Sequence, residues 1–404
     1  MADPSSEAAA DIARADRRRW RAYLEELGTR SSDALFDELK RAPATTSARR
    51  GGARSRSLLA AYAIAGAVHM SSLLLVVASG LIWIAPWPNL FVVVAALTLP
   101  LLAWSLRPRI VPPPEELLSR HAFPALYRAA DRIADAMQAP HAEAIGVSCE
   151  FNANFRRAGW RAKSYIELGV PLMLLARPSE CLAIVAHELS HGVNGDPLRG
   201  RFLYSAVATL ERWVEVIRPV SIGSAADGVS FGGPLVSLVV IPFELAMLGV
   251  SRVLEGIARG ILLLALRESQ RAEYWADRLV VSVVGTEAMQ AALRMLAIID
   301  AAEAAQRRQA FAGGIHDLAA LLNTVRADMS ASEIARIEEL GRRERRRVDL
   351  THPPTALRLD MLAAWPSQAA AIEFHATDLL EVQQELLRLM PDIQRELTNR
   401  YVVG

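Results

Sequence analysis

Apolar and polar positions alternate along this chain in stretches of different rhythm. Residues 1–57 are polar, with two amphipathic runs, Glu7 to Leu27 and Ser32 to Lys40. Apolar positions such as Leu24 and Leu27, or Leu35 and Leu39, recur there at helical spacing and predict short helices. The first long apolar run begins too late for a signal peptide. From Ser57 to Ala85 no Asp, Glu, Lys or Arg occurs, and as a helix this run is long enough to span about 30 Å of hydrocarbon. Trp83 and Trp87 lie at its end, where amphipathic rings favour a membrane interface. Pro86-Trp87-Pro88-Asn89 predicts a tight turn, and Leu90 to Leu106 supplies a second apolar stretch. Together they read as a transmembrane helical hairpin over residues 58–106.

Beyond the stiff connector Val111-Pro112-Pro113-Pro114 the pattern changes. Glu115 to Gln138 predicts an amphipathic helix. Ala144 to Ser148, Phe151 to Phe155 and Ser164 to Leu168 predict three short strands. Pro178-Ser179 predicts a helix start with Ser179 as N-cap. A second hydrophobic region, 229–266, is uncharged as far as Phe243 and then interrupted by Glu244, Arg252, Glu255 and Arg259. Both a second hairpin and amphipathic helices lying at a membrane surface fit it. From Gly285 onward the chain is polar and mostly helical, with a basic patch at Arg342 to Arg347 that reads as a solvated face or a headgroup contact. The fold class is mostly α with a small β-sheet.

Composition sharpens the membrane reading. Of 404 residues 52% are hydrophobic, high for a soluble chain. The net charge of +1 argues against a nucleic-acid partner, which needs a concentrated basic surface. Cys149 and Cys181 are the two cysteines and build no disulfide framework; both read as buried thiols. Lys40 and Lys163 are the only lysines, an arginine bias that suggests a GC-rich bacterial genome. Lys40, Arg41, Arg49, Arg50, Arg54 and Arg56 precede the hairpin and Arg107 and Arg109 follow it, so the positive-inside rule sets both ends in the cytoplasm.

The chemistry is concentrated in His187-Glu188-Leu189-Ser190-His191. Histidines at i and i+4 project from one helical face, so both imidazoles can reach one zinc ion. Glu188 can take a proton from a metal-activated water and pass it to a leaving amine. Those five residues alone also fit two core histidines with a buried ion pair. A catalytic zinc wants a third ligand, and Glu273-Tyr274-Trp275-Ala276-Asp277 supplies one in helical context. Glu273 can ligate, and Asp277, one turn on, can accept a hydrogen bond from the far nitrogen of His187. After His191, the glycines of Gly192-Val193-Asn194-Gly195-Asp196-Pro197 read as ending the helix. Thr351-His352-Pro353-Pro354 presents a histidine that can donate to a developing oxyanion or simply form a structural turn.

In this order the motifs resemble the HtpX-type membrane metallopeptidases, which share a gluzincin site with the CaaX prenyl proteases. The matching pieces run from the apolar hairpin through Phe151-Asn152-Ala153, His187 to His191, Asn194-Gly195-Asp196 and Glu273 to Asp277. They end with Thr351 to Pro354 and Arg358. The resemblance implies one zinc per chain held by His187, His191 and Glu273, with Glu188 as general base and Asp277 orienting a ligand. It implies a transition-state role for His352, joined by Arg358. Asn152 and Ala153 would line the peptide, whose backbone adds to that strand edge. It further implies a zincin-like gluzincin domain in two pieces, 107–228 and 267–365, separated by the insertion 229–266. Residues 1–57 and 366–404 have no counterpart and stand as a polar extension and a C-terminal helical extension.

The implied partners are a protein or peptide substrate and a lipid bilayer, with the site facing the cytoplasm at the inner membrane. Oligomeric state stays open. Ser269-Gln270-Arg271 departs from the family's Ser-Arg by one residue, and Asn154 and Phe155 replace small residues. An intramembrane protease of the site-2 type fits poorly, because Arg177 and Asp196 bracket too short an apolar run. An inactive scaffold would be expected to lack a ligand or the base. Quality control of membrane proteins is the family-level expectation, with CaaX-type processing as the alternative.

Overall fold

The computed structural model describes residues 26, 29–41, 56–84, 90–105, 107, 110, 112–194, 201–217, 233–345 and 352–403. Most of the amphipathic run Glu7 to Leu27, the Pro86 to Asn89 turn, Gly195 to Pro197, Arg346, Arg347 and Thr351 lie outside them. Two compact units form from interleaved segments of the chain.

The first unit takes residues 53–110 and 201–266 along with the N-terminal residues. Its described elements are α2 (Arg56–Trp83), α3 (Leu90–Ser105), α7 (Arg201–Ile217) and the first part of α8 (Gly233–Val284). Leucine, valine and alanine fill more than half of the positions in α2 and α3, and no polar stripe runs along either, so both are apolar all round. α2 packs on both α3 and α7, and Phe202 stacks on Tyr62 at 5.8 Å. Over Arg56–Ile82, α2 is the one described helix long and apolar enough to cross a membrane; the apolar part of α3, Val92–Trp104, is shorter. Leu73, Leu74, Val76, Leu81, Leu97 and Leu101 are exposed.

Of the two readings open for residues 229–266, α8 rules out the hairpin. Residues 233–284 form one unbroken helix of 52 residues, with no turn inside it. Three of the four charges that read as interruptions are satisfied along the helix itself. Glu255 accepts from Arg252 at 3.4 Å and from Arg259 at 3.2 Å.

The second unit comprises residues 29–52, 111–200 and 267–404. Its sheet has the order β1-β3-β2, where β1 is Ala144–Ser148, β2 Ala153–Ala158 and β3 Lys163–Gly169. β1 pairs parallel with β3 in the register Ile145 to Ile166, and β2 pairs antiparallel with Phe155 opposite Ile166. β2 starts at Ala153, two residues later than its apolar pattern predicts, and the Asn152 carbonyl just ahead of it accepts the Gly169 N–H at 2.7 Å. A Cβ on Gly169 would stand 1.8 Å from the Glu150 carbonyl oxygen, so only glycine allows that approach.

Helix α4 runs over Pro124–Met137, shorter than the predicted 115–138, because Pro124 opens it and Leu117 bridges to Gly146 instead. Behind the sheet lie α5 (Val170–Leu175) and α6 (Pro178–Asn194). α6 begins at Pro178, which sets Ser179 inside the helix. The residue that closes its start is Glu180, 2% exposed, accepting from the Arg177 N–H at 2.7 Å and from Arg326 at 2.7 and 2.8 Å. The remaining helices are α9 (Thr286–Met295), α10 (Ile299–Phe311), α11 (Leu318–Asp328), α12 (Ala331–Glu344), α13 (Thr355–Ala364), α14 (Ala376–Leu387) and α15 (Met390–Val403).

Both extensions contribute to this unit. Val382, Leu386, Ile393 and Leu397 from α14 and α15 belong to its main core. The buried Glu385 carboxylate accepts the Ala125 and Leu126 N–H groups at 2.9 and 2.8 Å, capping α4 where the helix dipole is positive. Residues 29–41 form α1, whose Leu35 is buried against Tyr274 and Met361. Both cysteines are free and buried. In the basic patch Arg342 pairs with Asp360 and Arg345 with Asp33, so its described part is held by carboxylates.

Candidate metal centre

α6, α8 and the turn before α13 bring the candidate residues together. Residues four apart stack along a helix, so His187 and His191 share a face of α6, their rings edge to face with centroids 4.9 Å apart. α8 contributes Glu273, fully buried, and Asp277 one turn on. His352 precedes α13 and is followed by the buried Pro353 and Pro354.

Glu273 is the hub. Its Oε2 lies 3.1 Å from His187 Nε2 and 3.3 Å from His352 Nε2, and its Oε1 lies 3.5 Å from His191 Nε2. Donor atoms bonded tetrahedrally to one zinc at about 2.0–2.1 Å stand about 3.3 Å from each other. Each histidine nitrogen stands at such a spacing from Glu273, and the groups whose donor atoms all converge within 4.8 Å are His187 with Glu188 and His191, and His187 with Glu273 and His352. Burial would raise the Glu273 carboxyl, but His352, His191 and His187 hold it well below the ordinary carboxylate range.

Asp277 and Arg358 form the layer behind. Asp277 accepts from Arg358 Nε at 2.8 Å and from its terminal nitrogen at 2.5 Å, and its Oδ1 lies 3.3 Å from His187 Nδ1. Arg358 is 3% exposed. Burial and the Arg358 charge oppose protonation of His187, yet the hydrogen bonds to Asp277 and Glu273 outweigh them and raise it to about 9. A dication supplies the positive charge these carboxylates call for. Burial likewise would raise Asp277, and Arg358 lowers it.

Glu188, 4% exposed, accepts the Phe155 N–H from β2 through Oε2 at 2.8 Å. Sequence reasoning missed this link, since it joins residues 33 apart through the fold. It also misread Gly192. The helix continues to Asn194, and Gly192 lies within it, where an added Cβ would come within 3.2 Å of Phe155 and of Pro140. The small residue lets α6 press against the strand that holds Glu188. Asn152 is exposed just ahead of β2, and its Oδ1 accepts the Ala153 N–H at 2.9 Å. Both line a pocket with His187, Glu188, His352 and Arg358. The displaced Arg271 meets Glu38 of α1 at 2.7 Å, beside Arg267 at 2.6 Å. Asn194 is helical; Gly195 and Asp196 lie outside the described residues.

Comparison with known proteins gives a single kind of match. The model described as Peptidase family M48 matches residues 120–366, a span that holds every candidate residue above. No curated protein and no solved structure matches the chain. The match covers more than half of the sequence, and the buried His-Glu-x-x-His group lies inside it. The chain belongs to peptidase family M48, a family of zinc metallopeptidases.

Proposed function

We propose that this protein is a zinc-dependent endopeptidase of the HtpX type that cleaves proteins at the membrane. The observation that carries this reading is the buried Glu273 carboxylate, 3.1 Å from His187 and 3.5 Å from His191, beside a buried Glu188. His187, His191 and Glu273 would hold one zinc, which would act as a Lewis acid and bring the pKa of water to about 7. Glu188 takes the proton of the attacking water and returns it to the leaving amine. The Phe155 N–H fixes the Glu188 carboxylate for both transfers. Asp277 holds His187 in one tautomer through Nδ1, and Arg358 holds Asp277. His352 donates to the developing oxyanion. Asn152 and Ala153 line the substrate, whose backbone adds to the edge of β2 away from β3, ahead of the Phe155 N–H that Glu188 takes.

The apolar helix over Arg56–Ile82 and its basic flanks support a multi-pass protein of the inner membrane with its catalytic unit in the cytoplasm. Quality control of membrane proteins is the role this arrangement fits. The test uses detergent-solubilised full chain with casein. Cleavage is expected to be abolished by a chelator, restored by zinc, and lost in Glu188→Gln. Undiminished cleavage by that variant would reject the mechanism, and absence of cleavage by the wild type would favour an inactive scaffold.

A further inference from the structure

α1 belongs to a polar extension in the sequence, but in the fold it packs on both helices that build the layer behind the metal ligands, within one unit. Leu35, Tyr274 of α8 and Met361 of α13 form one cluster, each 0% exposed, with Phe36, Leu39 and Trp365 packed against it. Tyr274 lies between Glu273 and Asp277 on α8, and Met361 lies three residues past Arg358 on α13. Glu38 accepts from Arg267 at 2.6 Å and from Arg271 at 2.7 Å, both on α8.

At about 100° per residue, Arg267, Arg271 and Tyr274 share one stripe of α8, and Glu273 and Asp277 share another, roughly 100° round the axis. α1 therefore grips the flank of the ligand-bearing segment and leaves its metal-facing side open. A grip there fixes rotation. A carboxylate about 5–6 Å from the helix axis moves about 1 Å when the helix turns by roughly 10°. A misplacement of about 1 Å can cost about 100-fold in rate. Of the two contacts the buried one holds harder. The Glu38 pairs are partly exposed, and such pairs contribute little alone. Truncating a fully buried leucine leaves a cavity that its neighbours fill only by shifting.

We propose that α1 is a clamp on the metal-ligand helix, and that Leu35 and Glu38 are positioning residues. They set the rotation of Glu273 and Asp277, and through Met361 the seat of Arg358, without touching substrate or metal. This inference rests on the zinc-peptidase reading above, and zinc affinity measured beside turnover keeps the two apart.

The full chain in detergent is compared as wild type, Leu35→Ala, Leu35→Met, Glu38→Arg, and Glu38→Arg combined with Arg267→Glu and Arg271→Glu. The readouts are melting of the metal-free protein, zinc affinity by chelator competition, and kcat and KM on a fluorogenic peptide built on a mapped casein cleavage site. Leu35→Ala should weaken zinc binding about tenfold and lower kcat about 100-fold, with KM within about twofold. Leu35→Met conserves volume and should match wild type. Glu38→Arg should lower kcat about tenfold at an unchanged melting temperature, and the reversed charges of the triple variant should restore it. Wild-type zinc affinity and kcat in Leu35→Ala, an effect on KM alone, or a triple variant no better than Glu38→Arg would overturn the clamp. Should Leu35→Ala not fold, Glu38→Arg and its reversal decide alone. If the wild type binds zinc and cleaves nothing, weaker zinc binding in Leu35→Ala, restored in Leu35→Met, would uphold the clamp and reject only the peptidase reading.

Discussion

Replacing Asp277 by asparagine keeps the shape of the side chain and removes its charge. The Arg358 guanidinium, 3% exposed, would then face Glu273 as its nearest remaining carboxylate, 3.8 Å away. Breaking a buried pair and leaving one member charged costs about 3–5 kcal/mol. The residual attraction to Glu273 argues for the lower end, about 3 kcal/mol, or a drop of about 6–12 °C in melting temperature for a unit of this size. His187 would also lose the carboxylate 3.3 Å from Nδ1, and loss of such a charged partner weakens metal binding about 10–100-fold. The assays are a thermal melt of the metal-free protein and chelator competition for zinc. Adding Arg358→Met removes the stranded charge. The double variant should therefore recover most of the stability while its zinc affinity stays low. If Asp277→Asn melted and bound zinc like wild type, or if the double variant were no more stable than the single one, the pairing described here would be wrong.

Three further outcomes follow from geometry away from the metal. Gly169→Ala sets a Cβ against the Glu150 and Asn152 carbonyls and should cost about 3 kcal/mol in thermal melts, with casein cleavage falling as Asn152 is displaced; a wild-type melt would contradict the close approach. Glu385→Ala strips two N–H groups of α4 of a charged acceptor and should cost about 2–3 kcal/mol, Glu385→Gln roughly half that; equal melts for all three proteins would show that α14 does not brace the unit. Burial pushes the Cys181 thiol up to about 12 and raises Cys149 further, so at pH 8 roughly one Cys181 in ten thousand is thiolate. Neither should react with iodoacetamide within an hour in the folded protein, and both should react in urea; mass spectrometry of the intact chain reads the difference.

What was legible in the sequence was set by short spacings. His187 and His191, or Glu273 and Asp277, are four residues apart, and helical geometry alone aims each pair. β1 matches its predicted bounds, since a buried strand between turn residues leaves little freedom. Contacts formed through the fold were not legible. Nothing in the local pattern tells that the Phe155 N–H meets Glu188, that Glu385 reaches α4, or that Glu38 receives Arg267 and Arg271. α8 was misread for a related reason. Its charges look like interruptions in a hydropathy profile, but a helix pairs Glu255 with Arg252 and Arg259 at no cost to its continuity.

The interleaving of the two units constrains how a bilayer can thread this protein. α1, the segment carrying the sheet and α6, and the described residues after Leu266 belong to one body, yet the chain departs from it twice, over residues 53–110 and 201–266. A folded body lies on one side of a membrane. Each departure must therefore end on the side where it began, which restricts it to an even number of crossings. In a bilayer, residues 53–110 would satisfy this with α2 and α3 crossing together or with both staying in one leaflet, and not with α2 crossing alone. The parity holds whatever the lipid, and it follows from which segments share a core rather than from the count of basic residues at the flanks.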